Sequence, residues 1–213
     1  TNDGTSWSHA YKTLSAALLA GAALTALPAN AQVAGIATLD TTDAIMQTKA
    51  FAQAYQQIGT TFTSNSQMIQ TKRKEINDIN AQLDTNKDKN LTQEELDAAI
   101  KAKNPLLTQL EAKEREIAQL QQPIVTAQAF AVESIADRYA AAQQQVITQK
   151  KINMILAPDA FIWAPEAVDV TKAVTAALDL AVPSVGITPP ANWQPKQSTG
   201  GLYEQIQQRL LTA

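Results

Sequence analysis

Six residues able to offer oxygen to a cation recur at nearly regular spacing in one short segment, Asp84-Thr-Asn86-Lys-Asp88-Lys-Asn90-Leu-Thr92-Gln-Glu-Glu95. A hard divalent ion needs this ligand type, because a loop wrapped around it turns every second side chain inward. The segment fits the EF-hand pattern. Asp84, Asn86 and Asp88 take the first three ligand places, Asn90 offers its carbonyl, Thr92 follows, and Glu95 stands where a carboxylate binds with both oxygens. Leu91 supplies the apolar residue of the loop, and helical sequence flanks it on both sides. The departure is Lys89, which stands where glycine makes a turn of positive φ. A Cβ there costs about 1–2 kcal/mol, roughly tenfold in affinity. The expectation is weak calcium binding at this tip, against the plainer reading of a solvated acidic turn.

Other chemistry is largely excluded. The chain has no Cys and a single His, His9, which falls in an expected leader. That removes thiol nucleophiles, Ser-His-Asp triads, Cys/His zinc sites and disulfide frameworks. No nucleotide-binding loop is present, and no carboxylate pair can be defended as acid and base, so catalysis is not expected. A net charge of -3 without a basic stripe argues against nucleic acid.

Two long helical runs must hold the loop between them. From Phe51, large apolar residues alternate at spacings of four and three through Tyr55, Ile58, Phe62, Ile69, Ile76, Ile79 and Leu83, with Asn65 and Lys72 the polar seam positions. A second run passes through Leu106, Leu110, Ile117, Leu120 and Ile124, broken by Lys113. A 3.5-residue period makes one narrow stripe, suited to a partner helix more than to a broad core. The runs therefore predict an antiparallel coiled-coil arm over 44–151, roughly 60 Å long at ~1.5 Å per residue, with the EF-hand-like tip at 84–103. Thr42 or Asp43 can cap the first helix, Gly59 is a weak point, and Pro123 excuses a register shift from Ile135 onward. Met68, Val125, Phe130 and Val132 lie off the seam, and Lys72-Arg-Lys74 reads as a solvated face.

Around the arm lies a small body, 32–43 and 152–182. Val33 to Leu39 reads as a strand. Ile152 to Ala157 and Ala160 to Ala164 flank Pro158-Asp159 and read as a β-hairpin, with Trp163 in its core. Val168 to Val182 reads as an amphipathic helix with Val170, Val174, Ala177, Leu178 and Ala181 on one face. The tail, 183–213, is Pro-rich and irregular to Gly201, contains Trp193, which either packs on the body or stands exposed as a ligand anchor, and closes with a short helix from Leu202 to Leu211. At the start, Lys12, the apolar run Leu14 to Leu27 and Pro28-Ala-Asn-Ala31 have the layout of an export signal over 1–31. Its apolar centre is shorter than the roughly 20 residues that span a bilayer, so a mature chain beginning at Gln32 is expected to carry no transmembrane span.

The order of these pieces resembles the OmpH/Skp family of periplasmic chaperones over roughly Val33 to Leu180. The most specific stretch runs from Ile152-Asn-Met-Ile-Leu-Ala157 through Phe161-Ile-Trp-Ala164 to Val168-Asp-Val-Thr171, and Ile36-Ala-Thr-Leu-Asp40 is similar to the family's first strand. The resemblance implies an α+β fold, a periplasmic location, and a homotrimer whose strands form a central body. It further implies three arms around a cavity that holds unfolded outer-membrane proteins without ATP. Three strands per chain leave sheet edges open, which trimerisation would close. Well-known members are strongly basic and this chain is acidic, so attraction to lipopolysaccharide does not carry over. The rival expectation is an envelope structural or calcium-responsive spacer that reaches one fixed partner.

Overall fold

A computed structural model describes residues 35–212. The expected export signal at 1–31 and the first two residues of the expected first strand lie outside them. Strand β1 (Ile36–Thr38) pairs in parallel with β2 (Met154–Leu156), with Ala37 opposite Ile155. Gly35 opens β1 at φ 85°, and its carbonyl accepts from the amides of Asn153 at 2.7 Å and Met154 at 2.9 Å. The other edge of β1 meets Asp169 in a single parallel bridge.

The expected β-hairpin at 152–164 does not form. Pro158 to Ala160 is a 3-10 turn, and 160–164 holds no strand. The physical reason is the turn. A two-residue hairpin needs positive φ at its centre, and Pro158 cannot supply it. Leu156 is followed instead by an extended Ala157 and the 3-10 turn. β2 therefore turns to β1, and the whole arm becomes the crossover between two parallel strands. Trp163, expected in the core, is 78% exposed, and Ile162 beside it is fully exposed.

The first limb is three helices rather than one: α1 (Thr41–Met46), α2 (Lys49–Thr61) and α3 (Thr63–Leu83). Asp40, not Thr42 or Asp43, caps α1 by accepting from the Asp43 amide at 3.0 Å. Thr48 caps α2 by accepting from Phe51. The later break falls at Phe62, three residues beyond Gly59. Thr60 and Thr63 there turn their hydroxyls back onto preceding carbonyls, which competes with a regular ladder. Backbone bonds from Phe62 to Ile58 and from Ser66 to Phe62 nevertheless carry the limb across.

Helix α4 (Gln93–Lys101) follows the tip, and α5 (Pro105–Lys150) returns without interruption through Pro123. Asn104 caps α5 and Pro105 opens it, where a missing N–H costs nothing. Helix α6 (Thr171–Ala181) buries Val174, Ala177 and Leu178, with Val170 just ahead of it, whereas Ala181 is exposed. The core is where α1, α5 and α6 meet, around the fully buried Ile45, Val132, Ile135, Val174 and Leu178.

The tail joins this core. Residues 183–196 are irregular, as their prolines predict, but α7 (Gln197–Thr212) starts five residues before the expected Leu202 and buries Ile206 completely. Its Arg209 pairs with Asp40 at 2.7 Å and with Asp43, tying the last helix to the first.

Candidate functional site

The arm beyond the core is the pair α3 and α5. Ile69, Ile79 and Leu83 are buried along the seam and Ile76 is half-buried. Across from them Leu106, Leu110, Ile117, Leu120 and Ile124 are all half-buried. A two-helix seam is open on both flanks, so half-burial is its natural limit.

Each of the three polar seam positions finds a partner across the arm. Asn65 donates to the Leu120 carbonyl at 3.1 Å. Lys72 reaches Glu116 at 2.7 Å and Glu75 at 3.4 Å, while Lys113 reaches Glu75 at 2.6 Å and Glu116 at 3.9 Å. Lys72 thus belongs to the seam rather than to a solvated face. Glu116 raises the Lys72 ammonium above the usual lysine range; Lys113 holds Glu75, and Lys72 holds Glu116, below the usual carboxylate range. One square of alternating charge fixes the register of the limbs where the seam lacks apolar residues.

On the flank of this arm lies a groove of about 420 Å3, lined among others by Ile69, Arg73, Ile124, Val125, Tyr203 and Gln207. Of the four off-seam residues, Met68 and Val125 are exposed, at 44% and 41%. Phe130 is half-buried and Val132 belongs to the core. The arm therefore offers dispersed apolar side chains and an open groove on its flank, a surface suited to loose contact with extended chain.

At the tip, Lys87 and Lys89 adopt φ of 62° and 70°, so Lys89 takes the conformation that glycine would at its place. Asp84, buried at the end of α3, accepts from the amides of Lys87 at 2.7 Å and Lys89 at 2.8 Å. Asn86 accepts from Asp88, and Asp88 from Asn90, each at 2.8 Å. Glu95 bridges the whole turn. One oxygen accepts from the amides of Thr85 and Asn86 and from the Thr85 hydroxyl, the other from the amide and hydroxyl of Thr92. The Thr92 amide, with the Thr85 hydroxyl next, pulls the Glu95 carboxyl down to about 2. Thr92 and Glu95 also form a reciprocal capping box that starts α4.

All six expected ligand residues thus lie in one folded loop, and Asp84 and Glu95 close it from both ends. Their carboxylates are turned to backbone amides, and among the described residues no three acidic, His or Cys side chains converge on a common point. Behind the loop, Ile79, Leu83 and Ala99 are buried together and pack with Leu91, Leu106 and Leu110. This cluster seats α4 against the arm end.

Trp193 finds a partner that sequence reasoning missed. Its indole N–H donates to Glu133 on α5 at 3.0 Å, and its ring meets Phe130 edge-on at 5.4 Å. Glu133 is buried and also accepts from the Lys196 amide at 2.8 Å and the Thr199 hydroxyl at 2.6 Å. The available signal was a lone carboxylate inside the otherwise apolar and small run from Ala129 to Ile135.

A two-stranded parallel body carrying a long helical-hairpin arm defines the class: an α+β arm-bearing protein of binding type. The chain belongs to the OmpH family, described as "Outer membrane protein (OmpH-like)", which matches residues 35–178. A similar solved structure is an OmpH-like protein of Caulobacter crescentus CB15, described as a candidate outer membrane chaperone. Its sequence identity is 20%, the likeness covers 71% of this chain and 87% of that one, and the TM-score is 0.47. No curated protein matches the chain. No described helix is long and apolar enough to cross a membrane.

Proposed function

We propose that the chain is an ATP-independent periplasmic holdase that shields unfolded outer-membrane proteins between helical arms. The observation that carries this reading is the arm itself: a seam-held hairpin with Met68 exposed and Val125 lining an open groove, in a member of the OmpH-like family. Scattered apolar contacts of this kind can hold many unrelated extended chains weakly, which a holdase requires. Binding and release alone would drive the cycle. The test is dilution of a urea-unfolded β-barrel protein into excess of this protein, with expected suppression of light scattering. Unchanged scattering overturns the proposal, and capture of one folded partner instead would favour a spacer.

The proposed working unit is a homotrimer joined through its bodies. Among the described residues the outer edge of β2 pairs with no strand, Met154 on it is 53% exposed, and Ile162 and Trp163, a few residues further along the chain, are exposed too. An open edge beside exposed large apolar side chains is a surface that soluble proteins usually cover. Light scattering should give three chains per particle at micromolar concentration; one or two chains would exclude it.

Calcium is the proposed ligand of the tip, through Asp84, Asn86, Asp88, Asn90, Thr92 and Glu95. The positive φ at Lys89 supports this, because the backbone already follows the path the ion requires. Binding would swing Glu95 from its amides to the ion, so affinity is expected to be weak, ~10⁻⁴–10⁻³ M. Titration calorimetry at millimolar calcium should give heat with the wild type and none with Glu95→Gln. Equal heats, or none from either, would leave a polar turn.

A further inference from the structure

Residues 183–199 lie outside the stretch that matches the family and cross the root of the arm. Val185 and Ile187 pack with Ala54, Ile58, Phe62, Ile124, Ala127 and Ala131, covering apolar side chains of α2 and α5. Trp193 extends the cover onto Phe130. The segment is irregular up to Gln197 and has no ladder of backbone bonds to either helix. Its polar hold is concentrated at Glu133, whose three donors, Trp193, Lys196 and Thr199, all come from the segment, with a Lys196–Asp137 ion pair alongside.

The ends of this segment are fixed. Val182 is buried before it, and Ile206 and Arg209 anchor α7 after it. Between the Thr199 latch and the Ile206 anchor stand Gly200 and Gly201, with open space around both Cα atoms. A glycine pair at the junction of the first and second turns weakens the helix there and makes a natural hinge. A carboxylate latch also differs from an apolar one in what happens on release. The carboxylate exchanges three hydrogen bonds for water, so opening leaves no unsatisfied buried charge.

We propose that residues 183–199 form a hinged flap, latched on Glu133 and pivoting at Gly200-Gly201, that covers an apolar face at the arm root and uncovers it on opening. The covered face adjoins the groove at Ile124, so an open flap lengthens the apolar path along the arm. Its use for clients rests on the holdase reading; the opening itself does not.

The experiment is hydrogen exchange of the full chain, together with binding of an apolar fluorescent dye, both without client. Removing latch bonds should speed exchange of the segment's hydrogen-bonded amides, Trp193, Lys196 and Thr199, about tenfold or more and raise dye binding, while α5 and α6 amides stay as protected as before. Two variants keep this clear of misfolding. Glu133→Gln alters the socket, and the Trp193→Phe/Thr199→Val pair removes two donors without touching the arm. Gly200→Ala/Gly201→Ala should slow flap exchange with the latch intact. Unchanged exchange at 185–199 in both latch variants overturns the flap, as does faster exchange without added dye binding. Failure to hold an unfolded barrel would sink the holdase reading and leave these outcomes untouched.

Discussion

Lys72 on the outgoing limb places its ammonium 2.7 Å from the Glu116 carboxylate on the returning limb. The matching contact between Lys113 and Glu75 runs the opposite way at 2.6 Å. All four side chains keep between 24% and 43% of their surface exposed, so solvent and salt screen the attraction. Their role is register more than stability. Lys113→Ala is expected to lower Tm by at most about 4 °C and to lose part of that effect in 1 M salt. Thermal melts at two salt concentrations check this, and a larger, salt-independent loss would mean that the lysine stem matters through packing.

Gly35 is the tightest backbone constraint in the body. It holds φ 85°, where a Cβ is strained, and a Cβ there would also strike the Asn153 side chain. Gly35→Ala should cost about 1–2 kcal/mol, read as a lower denaturation midpoint at an unchanged slope. Asn153 can move, so Gly35→Ala/Asn153→Ala should recover little. Full recovery would assign the cost to collision rather than to φ.

The arm was legible in sequence because a seam repeat is local: every seam residue from Phe51 to Leu83 is buried or half-buried against α5. The break between the limbs was local as well: α3 ends at Leu83, α4 begins at Gln93, and Lys89 between them takes a positive φ. What failed depended on the path of the chain in space. The partner of β2 is β1, more than a hundred residues earlier, so local alternation could propose a hairpin but could not find the parallel pair. Trp193 meets Glu133 sixty residues away, across the tail's return. The apolar run around Trp163 suggests core by composition alone, but without a second strand the chain leaves the indole outside.

That outward face gives a prediction about assembly. In an isolated chain Ile162 and Trp163 touch little, so Trp163→Asp should change its stability by no more than about 0.5 kcal/mol. In the proposed trimer the same charge would be buried against a neighbour. The expected result is a fall in mass from three chains to one by sedimentation, with the far-UV circular dichroism unchanged. A variant that stays trimeric would remove this face from the interface.

The last prediction concerns acid. Burial pushes the Glu133 carboxyl up, but the Thr199 hydroxyl, the Lys196 amide and the Trp193 indole together outweigh it and hold the group below the usual glutamate range. The carboxylate faces those donors and, nearby, the Lys196–Asp137 pair. A group whose folded value is depressed stabilises the folded form fully above its ordinary value, about 4.3, and loses that contribution as pH falls through the folded value. Flap docking should therefore be constant from neutrality down to about pH 5 and weaken below about pH 4. In a Trp7→Phe/Trp163→Phe background, Trp193 emission reports docking directly, because the ring leaves Phe130 for water when the flap opens. Emission should shift to the red on acidification, reversibly and before the arm loses helicity. Adding Glu133→Gln should give the red-shifted emission already at neutral pH and flatten the acid transition. The same transition with and without Glu133 would assign it to another carboxylate.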